Sequence, residues 1–317
     1  MYHYDFTVAF DRGLEWAIDQ LDKNKNLIAE VWRGWNAKNN NLAPPINFLE
    51  DINVSISDVA FSGVHNEDKK EVMSLSRIRG KCIHKVYELL FTTAKDFVYN
   101  SKNNQELTKI FDYLIKVMPD TLDLEKLRKS DKLLDEKFNK AQKQGTINNL
   151  NLNKIKTDME KLWRYESILL SARFLYHLSN SHKNDGRNLM EQKENFILEA
   201  LTFEVAREVD GRRLGLSGRS ELDLLSLRPR KTIIEIKTGE ENHADKLQVT
   251  GYALARESEF GYDERIDIGA ILYIKFSDDF DLPFITCEVF PIDTKLRVEF
   301  INKRDKYIEN LKEKYDR

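Results

Sequence analysis

The chain has 317 residues, 32% of them charged and 41% hydrophobic, with a formal net charge of −3 at pH 7. A chain of this length can bury a substantial core, either as one large domain with an insertion or as two domains. The nearly balanced charge argues against a general nucleic-acid coat protein, although an enzyme that must release nucleic acid needs only a local basic groove.

Targeting and membrane signals are missing from the sequence. The N-terminus lacks a basic stretch followed by an apolar run, and no window approaches the roughly 20 apolar residues of a membrane span. The two cysteines, Cys82 and Cys287, are far apart, which argues against a disulfide-stapled secreted fold. We therefore expect a soluble cytoplasmic protein without membrane association.

The N-terminal segment, residues 1–75, has a mixed pattern and is expected to pack on the core. Within it, Val54 to Ala60 predicts the start of a helix, because a Ser-x-x-Asp sequence can cap a first turn.

A further helix is predicted from about Ser76, with an apolar stripe from Ile83 to Phe91. This helix carries His84. A lone helical histidine is usually a surface or core residue, but a neutral imidazole can also complete a carboxylate metal site.

Residues 76–195 form a predicted helical region that carries His84 and an insertion. Apolar residues recur at helical spacing from Leu107 to Met118 and from Leu162 to Leu175. The piece from Lys140 to Asn153, rich in Lys, Asn and Gln, is interpreted as a linker. The insertion is expected to cover one face of a sheet. Alternatively, it walls a nucleic-acid channel or binds a protein partner.

Residues 196–317 alternate between strand and helix patterns and form the predicted core. The fold class is therefore α/β, a mixed central sheet flanked by helices, with strands at 201–209, 221–227, 232–237, 267–276 and 284–291 and helices at 244–257 and 293–314. The second and third strands are separated by Arg228-Pro229-Arg230, where proline favours a turn, so they form a predicted hairpin.

Acidic and basic side chains meet at one end of this hairpin. Side chains of a strand alternate between faces, so Glu235 and Lys237 share one side while Ile236 points away, and Asp223 can lie beside them on the partner strand. Such a corner suits Mg²⁺ or Mn²⁺ and metal-dependent phosphodiester hydrolysis. Lys237 would orient or deprotonate the attacking water, or neutralise charge at phosphorus. Taken alone, Glu-x-Lys is more often an exposed cross-strand ion pair.

Two further groups are candidate substrate contacts. Gln248 and Tyr252 are four residues apart on a predicted helix, hence on one face, where they would touch a DNA backbone or hold Lys237 in place. Residues 207–231 contain seven basic and four acidic residues, and Arg213 and Arg219 are the substrate-binding candidates among them. That segment is either a local basic groove or a solvated loop surface.

The order of these motifs resembles a known superfamily. Gly80-x-x-x-His84, Asp223, Glu235-x-Lys237 and Gln248-x-x-x-Tyr252 resemble the RecB-type branch of the PD-(D/E)XK nucleases, which have a restriction-endonuclease-like core. More narrowly, the chain resembles the CRISPR-associated RecB-like nucleases of the archaeal type I-A subfamily. That closer resemblance rests on the stretches 33–35, 215–223, 235–239, 250–254 and 296–305, and it spans most of the chain apart from about residues 100–190.

The resemblance implies a function and a set of roles. It implies a Mg²⁺ or Mn²⁺ ion held by His84, Asp223 and Glu235, with the Ile236 carbonyl as a possible further ligand. Asp223, Glu235 and Lys237 would be the catalytic residues. The implied activity is cleavage of DNA, often as an exonuclease on single strands. The implied setting is CRISPR adaptation in antiviral defence, where the partners are the CRISPR integrase and other adaptation proteins.

One departure from this family concerns the cysteines. Its members usually carry four cysteines that hold an iron–sulfur cluster, whereas this chain has Cys82 and Cys287 alone. We therefore expect no iron–sulfur cluster, with both cysteines acting as small buried hydrophobic residues. Two alternatives stay open: a scaffold that recruits the integrase with weak or no catalysis, and a RecB-like repair or restriction nuclease outside CRISPR.

Overall fold

The structure is a computed structural model. It describes residues 6–28, 54–63, 75–101, 107–130, 132–143, 149–181, 203–216, 219–227, 230–260, 265–277, 279 and 281–315. The Arg33-Gly34-Trp35 motif and the pair Ser217-Gly218 lie outside these residues.

Helices account for most of the described chain. They are α1 (Phe6–Lys23), α2 (Ile56–Ala60), α3 (Leu75–Asn100), α4 (Leu107–Asp112), α5 (Leu124–Ser130), α6 (Lys132–Lys143), α7 (Asn149–Ser181), α8 (His243–Phe260) and α9 (Thr294–Tyr315). The predicted Ser-x-x-Asp cap is confirmed, because Ser55 Oγ accepts from the Asp58 N–H at 3.1 Å and Asp58 Oδ2 accepts from the Ser55 N–H at 2.8 Å. None of the described helices has the length and hydropathy needed to cross a bilayer.

The described strands form one five-stranded mixed sheet in the order β1-β2-β3-β4-β5. They are β1 (Phe203–Asp210), β2 (Arg219–Ser226), β3 (Thr232–Lys237), β4 (Ile268–Lys275) and β5 (Phe284–Pro291). Neighbours are antiparallel except β3 and β4, which are parallel and are joined through α8, since parallel strands need a long crossover. The predicted mixed sheet is confirmed, with the bounds of β3 and β5 as predicted and the others within two residues.

Helices cover both faces of the sheet. One hydrophobic cluster joins Ile234 and Ile236 of β3 to side chains of α1, α3 and α7. The other joins Ile233 to side chains of α2, α8 and α9. Because alternate residues of a strand face opposite ways, Glu235 and Lys237 share the face of Ile233. These two side chains are therefore directed toward the side of the sheet where α8 packs.

The helical region differs from prediction in two details. The predicted linker at Lys140–Asn153 is largely wrong, because α6 continues to Lys143 and α7 begins at Asn149. On α7, Ile168 and Leu175 belong to the predicted apolar stretch from Leu162 to Leu175 but are 43% and 44% exposed. They lie seven residues apart and so share a helix face, and that face points away from the core.

A buried ion pair fixes α9 against the end of α8. Arg297 is fully buried and donates to Glu257 Oε2 at 2.8 Å and to Glu257 Oε1 at 3.0 Å. It also donates to the carbonyls of Ile292 and Ile266 and lies 3.1 Å from Asp267 Oδ1. Because each charge is paired and hydrogen-bonded, the pair can stay buried without an uncompensated charge.

Close packing at Gly251 gives a stability test. A Cβ atom on Gly251 would lie 2.5 Å from Ile56 Cγ2 and 2.6 Å from Phe300 Cε2, and both neighbours are fully buried. We expect Gly251→Ala to lower the free energy of unfolding by about 1–3 kcal/mol, measured by urea denaturation, although alanine is the better helix former. Gly239→Ala is the control, since a Cβ atom there meets no described atom within 4 Å. Equal losses in both variants would contradict this account.

Candidate active site

The hairpin strands β2 and β3 separate where the acidic residues lie. Their pairing runs from Ser226 to Leu224 on β2 and does not extend to Asp223 and Glu235. In place of a backbone partner, the Ile236 N–H donates to Asp223 Oδ2 at 2.7 Å. The structure thus brings Asp223 to the end of β3 through its side chain, at a gap between the two strands.

His84 reaches this corner from α3. Its Nδ1 atom lies 2.7 Å from Asp223 Oδ1. One turn earlier, Gly80 faces Thr238, whose Oγ1 atom would lie 3.5 Å from a Cβ atom on Gly80. Burial lowers the pKa of His84, but the charge and hydrogen bond of Asp223 and the charge of Glu235 outweigh it and raise this pKa above its ordinary value. Asp223 therefore favours the protonated imidazole.

Glu235 is a buried carboxylate, only 4% exposed. Its Oε1 atom accepts a hydrogen bond from Lys237 Nζ at 2.9 Å, whereas its Oε2 atom has no hydrogen-bond partner in the described part of the chain. Burial and the like charge of Asp223 raise the pKa of Glu235 to about 8, against the opposing charges of Lys237 and His84. A buried oxygen of this kind, next to a second carboxylate, favours the binding of a cation.

Lys237 provides the positive charge of the corner. Besides its bond to Glu235, Nζ donates to Gln248 Oε1 at 2.6 Å, lies 3.7 Å from Asp245 Oδ1 and lies 5.3 Å from the centre of the Phe61 ring. Burial lowers the pKa of Lys237, but Glu235 and Asp245 outweigh it and raise this pKa above its ordinary value. The amine therefore keeps its proton in this arrangement.

Gln248 and Tyr252 are buried on α8 behind the lysine, at 4% and 3% exposure. Gln248 Nε2 donates to Ser57 Oγ and to Tyr252 Oη, both at 2.7 Å. These acceptors fix the amide so that its oxygen is presented to Lys237. Of the two expected roles, contact with a DNA backbone or support of the lysine, the contacts observed are those of the second.

Four residues of the corner were absent from the sequence-based prediction: Ser57, Phe61, Asp245 and Tyr273. Ser57 lies 191 residues from Gln248, and Tyr273 is the register partner of Lys237 on β4, so neither contact leaves a local signal. Asp245 did offer one, three residues before Gln248. An acidic residue in a first helical turn is, however, ordinarily interpreted as a partner of the helix dipole.

The predicted arginine contacts lie away from this corner or outside the described side chains. Arg219 is exposed and its guanidinium donates to Glu208 Oε2 at 2.7 Å, an ion pair between β2 and β1. It shares a face of β2 with Asp223 but is four residues away, about 13 Å along the strand. The side chain of Arg213 is outside the described residues. A substrate role for either residue stays a prediction.

The residue types at the corner fit a hard divalent cation such as Mg²⁺ or Mn²⁺. The Glu235 Oε2 atom, for which the described residues offer no hydrogen-bond partner, supports this fit. Across the described residues, however, no three histidine, cysteine or carboxylate side chains are arranged as ligands of one ion. Asp223 is engaged by His84 through one oxygen and by the Ile236 N–H through the other. The ligand set His84, Asp223, Glu235 and the Ile236 carbonyl stays a prediction.

Both cysteines are free thiols. Cys82 is fully buried among the side chains beneath α3, and burial raises the pKa of its thiol to about 12. Cys287 on β5 is half-buried, and burial likewise raises its pKa. Thiolates are the form that binds metal, so these protonated thiols are poor ligands. The expectation of a protein without an iron–sulfur cluster stays a prediction.

The raised pKa of Glu235 predicts a pH dependence of stability. The folded state binds this proton up to about pH 8, whereas the unfolded state releases it near 4.5. The stabilising effect of the proton is thus complete below the pKa of the unfolded state, and it is lost as the pH rises through the pKa of the folded state. We expect Glu235→Gln to gain free energy of unfolding relative to wild type as pH rises from about 5 to about 8, measured by urea denaturation with EDTA present.

Exposed Glu240 gives the control for this measurement, because Glu240→Gln removes a surface ion pair with Lys275 and leaves the corner unchanged. The difference between Glu240→Gln and wild type should stay flat over the same pH range. A flat difference for Glu235→Gln as well would contradict the raised pKa.

Comparison with known proteins identifies a CRISPR-associated family. The family described as "CRISPR-associated exonuclease Csa1" matches residues 116–317. A curated protein of the same description from Saccharolobus solfataricus is 25% identical to this chain over 303 residues, which is 91% of this chain and 85% of that protein. No solved structure matches the chain. Since the family match covers more than half of its length, the chain belongs to the CRISPR-associated exonuclease Csa1 family.

Proposed function

We propose that this protein is a nuclease of the PD-(D/E)XK type that uses Mg²⁺ or Mn²⁺ to remove nucleotides from the ends of single-stranded DNA. The observation that carries the proposal is the meeting of Asp223, Glu235 and Lys237 at the diverging ends of β2 and β3, where one Glu235 oxygen has no hydrogen-bond partner among the described residues. The exonuclease description of the family supports the same chemistry.

In the proposed site, Asp223, Glu235 and the Ile236 carbonyl hold the cation, with His84 as a further ligand. A cation bound there would polarise the scissile phosphate and lower the pKa of an attacking water. Asp223 and His84 bond each other in the structure, so Asp223 must release His84 before both can serve as ligands. The Ile236 N–H keeps the other Asp223 oxygen aligned with the strand end.

Lys237 acts in this proposal as a positive charge rather than as a base. Its carboxylate neighbours keep the pKa of the ammonium above its ordinary value, so the proton is retained. An ammonium so placed stabilises the negative charge that develops on the phosphate oxygens during attack. Gln248, itself fixed by Ser57 and Tyr252, restricts the positions that Nζ can adopt.

We further propose that the enzyme trims or selects DNA during the acquisition of new CRISPR spacers, in the cytoplasm and together with the CRISPR integrase and other adaptation proteins. Membership in a CRISPR-associated family supports this setting. Contacts to phosphates carry no sequence information, so cleavage should show little base specificity.

Digestion of end-labelled DNA tests the nuclease. Wild type should shorten 5′- or 3′-labelled single strands with Mn²⁺ or Mg²⁺ but not with EDTA. Lys237→Ala and Asp223→Ala should each be slower by at least about 100-fold, since each removes a charge that acts on the reacting phosphate or its cation. Labelled duplex run beside the single strand gives the strand preference, and the label that is lost first gives the polarity.

Lys275→Ala is the matched control for the lysine variant, because it removes an exposed ammonium that pairs with Glu240 at the end of the neighbouring strand. Its rate should equal that of wild type. Equal cleavage by wild type, Lys237→Ala and Asp223→Ala would point to a contaminating nuclease and would overturn the assignment.

A scaffold subunit is the second candidate function. It is favoured by the engagement of both Asp223 oxygens, which leaves no three-residue ligand set in the described chain. A pull-down with the CRISPR integrase, run beside the digestion assay, separates the two. A folded protein that retains the integrase and cleaves no DNA under any metal condition is a scaffold.

A further inference from the structure

We infer that Asp245 and Tyr273 form a positioning pair that fixes the Lys237 ammonium at the reacting centre, an inference that rests on the proposed nuclease function. Neither Asp245 nor Tyr273 belongs to the RecB-type motifs of this sequence. Both lie on elements next to β3: Asp245 in the first turn of α8 and Tyr273 on β4.

Asp245 is held by one oxygen and faces the lysine with the other. It is 3% exposed. Its Oδ2 atom accepts hydrogen bonds from Tyr273 Oη at 3.1 Å and from the Asn242 N–H at 3.3 Å. Its Oδ1 atom lies 3.7 Å from Lys237 Nζ. The two donors on Oδ2 restrict rotation of the carboxylate, so the orientation of Oδ1 toward the lysine is set by groups other than the lysine.

The register of β3 and β4 places Tyr273 next to this carboxylate. Lys237 and Tyr273 are partners across the parallel pair of β3 and β4, so their side chains project from the same face. The Tyr273 ring is 2% exposed, and its hydroxyl donates to Asp245. A buried tyrosine hydroxyl normally needs a partner. The ring therefore fixes Asp245 from the sheet while Asn242 fixes it from the start of α8.

The pair completes the surroundings of an ammonium that has three N–H donors. Glu235 and Gln248 each accept one hydrogen bond from Nζ, and Asp245 adds a negatively charged oxygen 3.7 Å away. Glu235 is also a proposed metal ligand, so its charge is shared when a cation is bound. Asp245 is then the carboxylate that still holds Lys237 in place.

A purely structural role makes a different prediction. Asp245 also accepts from the Asn242 N–H at the start of α8, and an acidic residue there stabilises the helix. If that were its whole role, its replacement would lower the melting temperature and would lower activity only in proportion to the folded fraction. The comparison therefore needs kcat, KM and stability measured on the same variants.

The test uses the full-length protein, Mn²⁺ and a labelled single strand, with the variants Asp245→Asn and Tyr273→Phe. Asparagine keeps an oxygen acceptor for Tyr273 and removes the charge; phenylalanine keeps the ring and removes the hydroxyl. We expect Asp245→Asn to lower kcat by about 10- to 100-fold with KM unchanged, as for other residues that orient active-site groups. Tyr273→Phe should change kcat in the same direction but less.

Two control variants repeat these substitutions at buried or half-buried positions away from the lysine. Asp267→Asn alters a carboxylate that bonds Arg265 and Arg297, and Tyr87→Phe removes a buried hydroxyl that donates to Glu166. Both should keep wild-type kcat, even where the melting temperature falls. A kcat loss in Asp267→Asn equal to that in Asp245→Asn, or no loss in Asp245→Asn, would overturn the inference.

A second measurement does not depend on turnover. Acetylation of Lys237 by an N-hydroxysuccinimide ester, followed by mass spectrometry, reports how firmly the amine is held, with exposed Lys275 as the internal reference. The ratio of the two rates should rise about fivefold in Asp245→Asn, the factor expected for loss of a partly buried ion pair. An unchanged ratio overturns the inference. An inactive wild type overturns the nuclease proposal instead, and the labelling ratio then decides the positioning role alone.

Discussion

The closeness of the carboxyl groups of Asp223 and Glu235, the second of them buried, sets the main constraint on this part of the molecule. A buried charge is costly unless it is paired and hydrogen-bonded, so the surrounding elements supply cations. Lys237 comes from the same strand as Glu235, and His84 comes from a helix on the other side of the hairpin. The compensation connects α3, β2 and β3 at one point but is incomplete within the described part of the chain, where Glu235 Oε2 has no hydrogen-bond partner.

Buried charged groups are paired differently at the two ends of α8. Near its C-terminus, Glu257 meets Arg297 through two hydrogen bonds, and neighbouring carbonyls satisfy the rest of the guanidinium. That saturated pair fixes α8 against α9. At its N-terminus, α8 presents Asp245 and Gln248 to a lysine that they share with Glu235. The two ends of α8 therefore differ: one is fixed to α9 by a hydrogen-bonded ion pair, and the other contributes polar side chains to the candidate site.

The sequence predicted the parts of the site that depend on local geometry. Alternation along β3 places Glu235 and Lys237 together, and a spacing of four residues places Gln248 and Tyr252 together, so both pairs could be predicted from one element alone. The bounds of β3 and β5 were predicted to the residue because β-branched runs end there at turn signals. Contacts between elements that are distant in sequence could not be predicted from local spacing. The hydrogen bond from Gln248 to Ser57 is an example. The linker predicted between α6 and α7 was too long, because packing against the core keeps polar turns rich in Lys and Asn helical.

The position of His84 connects the helical part of the chain to the candidate site. The family match begins at residue 116, so His84 lies outside it, whereas Asp223, Glu235 and Lys237 lie inside. Its imidazole nevertheless takes one of the two Asp223 oxygens and keeps a raised pKa there. In the proposed site, a cation that binds Asp223 would compete with this protonated imidazole, and a histidine ligand must lose its proton to bind metal. Metal binding there would therefore be linked to proton release at His84, a link that α3 makes through the placement of a single side chain.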